Sequence, residues 1–196
     1  MTAPHSITDL RLLRFVSVLG MIPLADVAEF VDIEDFDPAA LFDAGGECFA
    51  VQSLLGQDVL VLTPTGRAAA TTALTDFLAG ATGVVRDRIP ELLTEFEIVD
   101  PACKIAVSEF QRARSAVSAQ AVLDFHLAVA GLLRGIVEIW PLWQHYQRMF
   151  DYAVRMITEG NHDYVASPRC RSYHTLWHAI HFELRTVSAE LQGIGS

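Results

Sequence analysis

Three histidines stand within eight residues near the end of the chain, in the stretch SYHTLWHAIHFEL, residues 172–184. His174, His178 and His181 follow the i, i+4, i+7 spacing that places side chains on one face of a helix. Two histidines four residues apart have the spacing of metal ligands, and imidazole is easily tuned to titrate near neutral pH. The stretch therefore has the residue types for a metal site or for acid–base catalysis.

The surrounding residues favour a role for these histidines in packing or in lining a cavity over a role in metal binding or catalysis. The stretch lacks the glutamate of HExxH, and no cysteine or carboxylate stands at ligand spacing from the pair. We therefore predict no metal and no cofactor, and we keep His174, His178 and His181 as catalytic candidates only. Hydrogen-bonded histidines in a helix interface, or histidines that line a polar-walled cavity, are favoured over a catalytic role.

A second constellation is the aromatic stretch WPLWQHYQRMF, residues 140–150, whose rings recur every three to four residues. Core packing is the favoured interpretation, and an aromatic wall of a small-molecule pocket is the functional one. If the last helix packs on this stretch, its histidines and tryptophan would meet the other rings around a planar or cyclic ligand. The predicted ligand-binding residues are His126, Trp140, Trp143, Tyr146 and Trp177.

The elements of the first 80 residues follow a recognisable order. Ile7–Leu19 has helical spacing, and Pro23 can open a second short helix that runs to Val31. Asp37–Pro38 begins a third short helix, which Gly45–Gly46 ends. Alternating residues after Cys48 then predict a β-hairpin, and a further helix starts at Thr63–Pro64 and ends at Gly80. Helix, helix, short helix, hairpin, helix is the order of a winged helix-turn-helix.

Two segments carry a resemblance to a known family. LTPTGRAAATTAL, residues 62–74, resembles the stretch that leaves the wing in MarR-like proteins, and this resemblance covers roughly Ile7 to Ala79. FEIVDPACKIAVSEFQ and YHTLWxxxHxxL resemble the C-terminal half of an actinobacterial subgroup of MarR-like proteins. That pattern has asparagine at the position of Asp100 and tryptophan at the position of Phe110. The resemblance implies a homodimeric, ligand-responsive transcription regulator whose third helix enters the major groove of DNA.

The charge pattern argues against DNA binding. The implied reading helix, Pro38–Ala44, and the implied wing, Ser53–Gln57, contain no lysine or arginine, although phosphate contacts normally supply most of the affinity for DNA. Only three arginines flank this region as candidates for phosphate contact, namely Arg11, Arg14 and Arg67. Between Phe15 and Gly66 the charged residues are all acidic: Asp26, Glu29, Asp32, Glu34, Asp35, Asp37, Asp43, Glu47 and Asp58.

The remainder of the chain predicts helices only. Arg86–Val99 and Ala102–Gln111 have helical spacing and are interrupted by Asp100–Pro101. The further predicted helices are Ala119–Trp140, Leu142–Ile157 and a last helix from Ser167–Pro168 to about Leu191, with the sequence EGNHDY as a turn. The expected fold is mainly α with a small β-hairpin wing, divided into a winged-helix domain at 1–80 and a helical ligand-binding and dimerisation domain at 81–196.

Composition limits the class of protein and its expected location. The chain has 196 residues, of which 52% are hydrophobic, and a formal net charge of −10. This composition is typical of a folded domain, and no apolar run reaches the roughly 18 residues that would indicate a membrane span. Three widely spaced cysteines predict reduced thiols. The N-terminal residues lack the pattern of a secretion signal, and we expect a cytoplasmic protein without a membrane partner.

Three functional hypotheses remain open at this point. The first is a ligand-responsive regulator of MarR-like descent with doubtful DNA binding, in which a small molecule binds among the C-terminal helices of a homodimer. The second is an enzyme of secondary metabolism built on a winged-helix scaffold, with pocket histidines as acid–base groups. The third is a protein-binding module that uses an acidic face against a basic partner.

Overall fold

The computed structural model describes residues 7–24, 27, 47–54, 56–168 and 170–194. Contacts within the chain divide it into two units, Met1–Ala81 and Thr82–Ser196, one residue from the expected boundary. The described residues are mainly helical and include one small three-stranded antiparallel sheet, which confirms the mainly α class with a small β-hairpin. The predicted helix from Pro23 to Val31 falls largely outside the described residues, and Pro38–Ala44 falls wholly outside them.

The N-terminal unit combines two described helices with the sheet. Strand β1 pairs with β3, and β3 pairs with β2, so that Ile22 lies opposite Leu60 and Phe49 opposite Leu62. The turn between β2 and β3 contains Gly56 at φ +81°, a conformation that glycine adopts without strain. The elements are α1 Ile7–Leu19, β1 Ile22–Pro23, β2 Phe49–Leu54, β3 Gln57–Leu62 and α2 Pro64–Gly80.

The start of α2 explains the motif that resembles MarR-like proteins. The Thr63 hydroxyl accepts a hydrogen bond from the Gly66 N–H at 3.1 Å and so caps the helix, with Pro64 in its first turn. A Cβ atom at Gly66 would lie 2.0 Å from the Cys48 carbonyl oxygen, so only glycine fits there. Arg67 Nη1 donates to the Leu62 carbonyl at 2.7 Å and ties the helix to β3.

The C-terminal unit is helical throughout its described residues. The long helix α3 packs against both α4 and α7, while α5 packs against α4 and α7. The elements are α3 Gly83–Ala113, α4 Ala116–Ile139, a 3-10 turn Pro141–Trp143, α5 Gln144–Thr158, the single-turn helix α6 Asp163–Ala166, and α7 Tyr173–Ile194.

The interruption predicted at Asp100–Pro101 is wrong, because α3 is continuous through both Pro90 and Pro101. A proline inside a helix removes one backbone hydrogen bond and costs about 3 kcal/mol. The buried face of α3, which includes Phe96 and Cys103, packs against its neighbours on both sides of the proline. Burial of this face outweighs the local cost, so tertiary packing overrides the local signal.

The last helix begins at Tyr173 and not at Ser167–Pro168. The Ser167 N–H donates to the Asp163 carbonyl at 2.9 Å, so Ser167 closes the preceding turn α6 instead of opening the next helix. The Ser172 hydroxyl accepts from the Thr175 N–H at 3.4 Å, which places the helix start five residues later than predicted. The sequence EGNHDY, predicted as a turn, contains the start of α6.

Helix α4 is long and apolar enough to cross a membrane by length and composition alone. This is a weak indication, because core helices of soluble proteins also meet the criterion. One side of α4 is buried against the other helices of the unit, through Val122, Val129 and Leu133 among others. Its apolar character is therefore partly explained by packing within the C-terminal unit.

Candidate functional site

The three histidines of α7 separate into a pair and a single residue. His174 Nε2 and His178 Nε2 lie 2.9 Å apart, with the two rings at 70° to each other. His181 turns towards α3, where its ring centroid lies 5.0 Å from that of Phe96. Its Nε2 lies 3.6 Å from the Glu97 carboxylate. The shared helix face therefore does not gather the three imidazoles around one point.

The geometry of the pair allows the N–H of one imidazole to donate a hydrogen bond to the ring nitrogen of the other. His178 is exposed and His174 is half-buried, and burial together with the neighbouring His178 lowers the pKa of His174. The described part of the chain contains no group of three histidine, cysteine, aspartate or glutamate side chains arranged to hold a metal ion. The pair thus has two adjacent ring nitrogens, and the described residues add none of the further protein ligands that a closed metal site needs.

Trp177 takes part in a buried hydrogen bond between α7 and α3. Its Nε1–H donates to Asp100 Oδ1 at 3.0 Å, and Lys104 Nζ lies 2.5 Å from Asp100 Oδ2. The indole stacks on Phe96 with centroids 4.1 Å apart. Burial raises the pKa of Asp100, but the hydrogen bonds from Lys104 and Trp177 outweigh it, so the pKa lies below its ordinary value. Both carboxylate oxygens are therefore occupied by protein donors.

The other rings near Trp177 form a compact aromatic cluster around Tyr173. The Tyr173 ring centroid lies 5.7 Å from His126 and 5.2 Å from Phe150. Phe125 joins the cluster at 5.1 Å from Trp177. The structure thus brings two predicted ligand-binding residues, His126 and Trp177, into one cluster through Tyr173, which sequence reasoning did not single out.

Two polar atoms in this cluster are buried without a hydrogen-bond partner among the described residues, namely the Tyr173 hydroxyl and His126 Nδ1. Burial lowers the pKa of His126, although Asp151 opposes the shift, and burial raises that of Tyr173 well above its ordinary value. Both groups are therefore neutral near pH 7, which suits an apolar interior.

The remaining predicted pocket residues lie in the core around the 3-10 turn. The ring centroids of Trp140 and Trp143 lie 4.8 Å apart, and those of His145 and Tyr146 lie 4.4 Å apart. Trp140, Trp143 and Tyr146 are each at most 1% exposed. Their position agrees with the core-packing interpretation of WPLWQHYQRMF.

A cleft of about 540 Å³ opens where α3 ends. Its volume falls within the range of small-molecule sites, roughly 300–1,000 Å³. Phe110 is buried, and its ring lies edge-on to His162 at 6.0 Å between centroids. We call this cleft the Arg114 cleft and define it by its lining residues, Phe110, Gln111, Arg114, His162, Asp163, Ala166, Ser167 and Pro168.

Sequence reasoning missed the Arg114 cleft. It treated the segment containing His162 and Asp163 as a plain turn and assigned no role to Arg114. The one available signal was Phe110, which stands where the resembled pattern has the larger tryptophan. The cleft arises because α3 ends at Arg114 while α6 and the segment after it pass alongside, and no periodicity encodes that approach.

The three arginines proposed for phosphate contact have different surroundings. Arg14 is only 6% exposed, so its side chain lies within the N-terminal unit. Arg67 is exposed but uses one guanidinium nitrogen to bind the Leu62 carbonyl. Arg11 lies on α1 and is half-exposed. Of the acidic residues, the structure describes only Glu47 and Asp58, and both are exposed.

Comparisons of this chain with protein-family models, with curated proteins and with solved structures found no match.

Proposed function

We propose that this protein is a ligand-responsive regulator of MarR-like descent, in which the helical unit Thr82–Ser196 binds a small molecule. The observation that carries the proposal is the Arg114 cleft, which combines a ligand-sized volume with a buried phenylalanine and an arginine among its lining residues. Binding pockets are mostly apolar and contain a few polar groups that orient the ligand. In the lining of the Arg114 cleft, Phe110, Ala166 and Pro168 are apolar, and the other five residues, Arg114 among them, are polar.

In this proposal the N-terminal unit is a winged helix. Three described features support the assignment: the short strand β1 follows α1, the sheet order is β1-β3-β2, and the hairpin turns at Gly56. The cap formed by Thr63 and the close approach at Gly66 supply a structural reason for the motif shared with MarR-like proteins. The third helix of such a domain would be Pro38–Ala44, which lies outside the described residues.

The proposed regulator binds DNA weakly, and the dependence of its affinity on salt is shallow, because that dependence scales with the number of phosphate contacts. Few cations are available to neutralise phosphates, because Arg14 is buried and Arg67 already contacts a backbone carbonyl. The acidic residues between Phe15 and Gly66 oppose the approach of a phosphate backbone. A homodimer doubles the number of contacts and is part of the proposal.

The three histidines of α7 favour a binding protein over an enzyme. A catalytic base needs a partner that orients it and a position from which it reaches the substrate. His174 and His178 engage each other at the surface, while His181 packs on Phe96. The buried carboxylate of Asp100 already has two donors.

The proposal is tested with full-length protein and fluorescently labelled duplexes from the DNA upstream of its own gene. We expect polarisation to rise on binding at about 20 mM salt. The affinity should be at least tenfold lower at about 200 mM salt, because few phosphate contacts suffice for such a slope. A scrambled duplex of equal length is the control. Light scattering should give twice the chain mass of 21.6 kDa. Absence of binding to the upstream duplex at low salt would overturn the regulator.

A further inference from the structure

We infer that two copies of this chain associate through the outward face of helix α4, with the two helices antiparallel. This inference specifies the surface of the homodimer that is part of the proposed function, and it rests on that part. The surface is a row of six exposed positions, which we call the α4 stripe: Gln120, Asp124, Leu127, Gly131, Arg134 and Glu138.

Helix α4 combines an apolar composition with incomplete burial. Its most apolar 18-residue stretch is only 33% buried, and Leu127 within it is 73% exposed. Exposed apolar surface on a packed helix is typical of a contact with a further molecule. A bilayer is a poor partner for this face, because Asp124 and Arg134 lie on either side of Leu127 and a charged side chain is costly in the hydrocarbon core.

The spacing of the α4 stripe is that of a seam between two helices. Its positions are alternately four and three residues apart, so that all six lie within about 40° of one line along the helix. This repeat allows two helices to pack side by side at a small crossing angle. At 1.5 Å per residue the stripe extends over about 27 Å, which is most of the length of α4.

The α4 stripe is complementary to itself when the second helix runs in the opposite direction. Positions 120 and 138, 124 and 134, and 127 and 131 are placed symmetrically about residue 129. A twofold axis at residue 129 therefore sets Asp124 of one copy opposite Arg134 of the other, and Gln120 opposite Glu138. A parallel pairing would set like charges opposite each other, so the charges favour the antiparallel one.

The charged positions of the stripe are open to these pairs. Asp124 Oδ1 accepts a hydrogen bond from Gln120 Nε2 at 2.8 Å, and its second oxygen has no donor among the described residues. Arg134 has no carboxylate partner in the described part of the chain, although Glu138 stands one turn further along α4. The second copy supplies a guanidinium for Asp124 and a carboxylate for Arg134.

The centre of the stripe offers space for a large side chain. A Cβ atom at Gly131 would meet no atom beyond its own helix within 4 Å, so the surface is open there. In the antiparallel arrangement, Leu127 of each copy lies against Gly131 of the other. The leucine thus enters the space that the missing side chain leaves, and the glycine allows the two backbones to approach closely.

The test measures self-association of the full chain, without DNA, by analytical ultracentrifugation. A contact of one helix per copy is smaller than the standard protein interface of about 1,600 Å², so we expect a micromolar dissociation constant. The protein at about 100 µM should therefore sediment with twice the chain mass of 21.6 kDa. A monomer at this concentration would overturn the inference.

Charge reversal tests both the surface and the orientation of the helices. Asp124→Arg and Arg134→Asp, made singly, each set like charges opposite each other and should weaken the dimer about tenfold or more. The double variant Asp124→Arg/Arg134→Asp restores both pairs and should return to within about threefold of the parent. Dimers of parental affinity in both single variants, or no recovery in the double variant, would contradict the antiparallel pairing.

Gly131→Leu has two expected effects of opposite sign. It fills the space that receives the leucine of the other copy and should weaken the dimer about tenfold or more, while the melting temperature of the dilute monomer stays unchanged or rises, because leucine favours helix more than glycine. Gly193→Leu is the matched control, since a Cβ there also meets nothing within 4 Å and Gly193 lies near the end of α7. Equal weakening in both variants would show that the α4 stripe is not the interface.

Two further outcomes decide between possible partners and between this inference and the proposed function. The chain should stay unbound when vesicles of phosphatidylcholine and phosphatidylglycerol are floated, and its flotation would overturn the choice of a second copy. If charge reversal dissociates the dimer but upstream DNA does not bind at low salt, the α4 surface stands and the regulator is wrong. If DNA binds and the dimer survives both charge reversal and Gly131→Leu, the regulator stands and the α4 surface is wrong.

Discussion

Two charged residues, one within helix α3 and one directly after it, have opposite environments. Asp100, in its second half, is 6% exposed, and its oxygens are occupied by Trp177 and Lys104. Arg114, just past its end, is exposed, and its side chain has no ion-pair partner among the described residues. A buried charge must be fully paired to be tolerated, whereas an exposed unpaired charge beside a cleft is free to bind a ligand.

Burial and pairing distinguish these two residues: in the proposed function Asp100 stabilises the fold and Arg114 binds the ligand. The sequence drew attention to histidines and tryptophans, but several of these are packed inside the core. The two charged residues that line the Arg114 cleft lie elsewhere: Arg114 follows α3 and was assigned no role, and Asp163 lies in the sequence EGNHDY, which was predicted as a turn. Substitutions on the two sides of this comparison should therefore have different effects on stability and on binding.

The largest expected effect is that of Trp177→Ala. The substitution removes a side chain that is 1% exposed, stacks on Phe96 and contacts Phe125. Loss of such a ring from a core costs about 3–5 kcal/mol, and Asp100 is left without its indole donor. Denaturant unfolding followed by circular dichroism should show this loss. Trp177→Phe keeps a ring and should lose clearly less, so equal losses would show that ring packing is unimportant.

Asp100→Ala comes next, with a loss of about 1–3 kcal/mol in the free energy of unfolding, because the buried Trp177 N–H loses its acceptor. Asp100→Asn keeps an oxygen acceptor and should lose less. Since the pKa of Asp100 is lowered in the folded protein, its contribution is present above about pH 4 and is lost as the pH falls through the lower folded value. Unfolding of both variants between pH 2 and pH 7 checks this; an acid dependence in Asp100→Asn equal to that of the parent would contradict it.

A smaller effect is expected from the titration of His126. Burial lowers its folded pKa, so the unfolded chain binds the proton more readily. The stability of the C-terminal unit should therefore be full above about pH 6.5 and should decrease as the pH falls through the folded pKa. His126→Phe should reduce the slope of melting temperature against pH below 6.5. An unchanged slope would mean that His126 is protonated equally in both states.

The smallest effect is expected for His178→Ala. His178 is exposed, and its described hydrogen bond is the contact with His174 at the surface. Surface substitutions of this kind usually change stability by less than about 0.5 kcal/mol. Thermal unfolding of His178→Ala, with His174→Ala for comparison, measures the value of the pair. A loss above about 2 kcal/mol would show that the pair is structural.

Periodicity and capping residues predicted much of the secondary structure. The order of α1, the hairpin and α2 followed from apolar spacing, from the alternation after Cys48 and from Thr63–Pro64. Local signals were wrong where packing or a turn had the stronger influence. Pro101 does not break α3, because the buried face on both sides of it stays packed.

The candidate site was less predictable, since it depends on contacts between distant residues. The contact of Trp177 with Asp100 joins residues 77 positions apart, and no spacing rule indicates such a pair. The histidine spacing correctly placed His174 and His178 together, but it could not show that His181 faces Phe96. The Arg114 cleft depends on where α3 stops and on the path of the segment after α5, which sequence patterns specify poorly.

One pair of variants compares the buried Asp100 with the exposed Arg114 directly. Asp100→Ala and Arg114→Ala are each assayed for melting temperature and, by titration calorimetry, for the affinity of a small molecule that a thermal-shift screen of the parent protein has identified as a ligand. We expect Asp100→Ala to melt at a lower temperature and, at a temperature where it is folded, to bind with parental affinity. We expect Arg114→Ala to melt as the parent does and to bind at least tenfold more weakly. If Arg114→Ala keeps parental affinity, the assignment of ligand binding to the Arg114 cleft is contradicted.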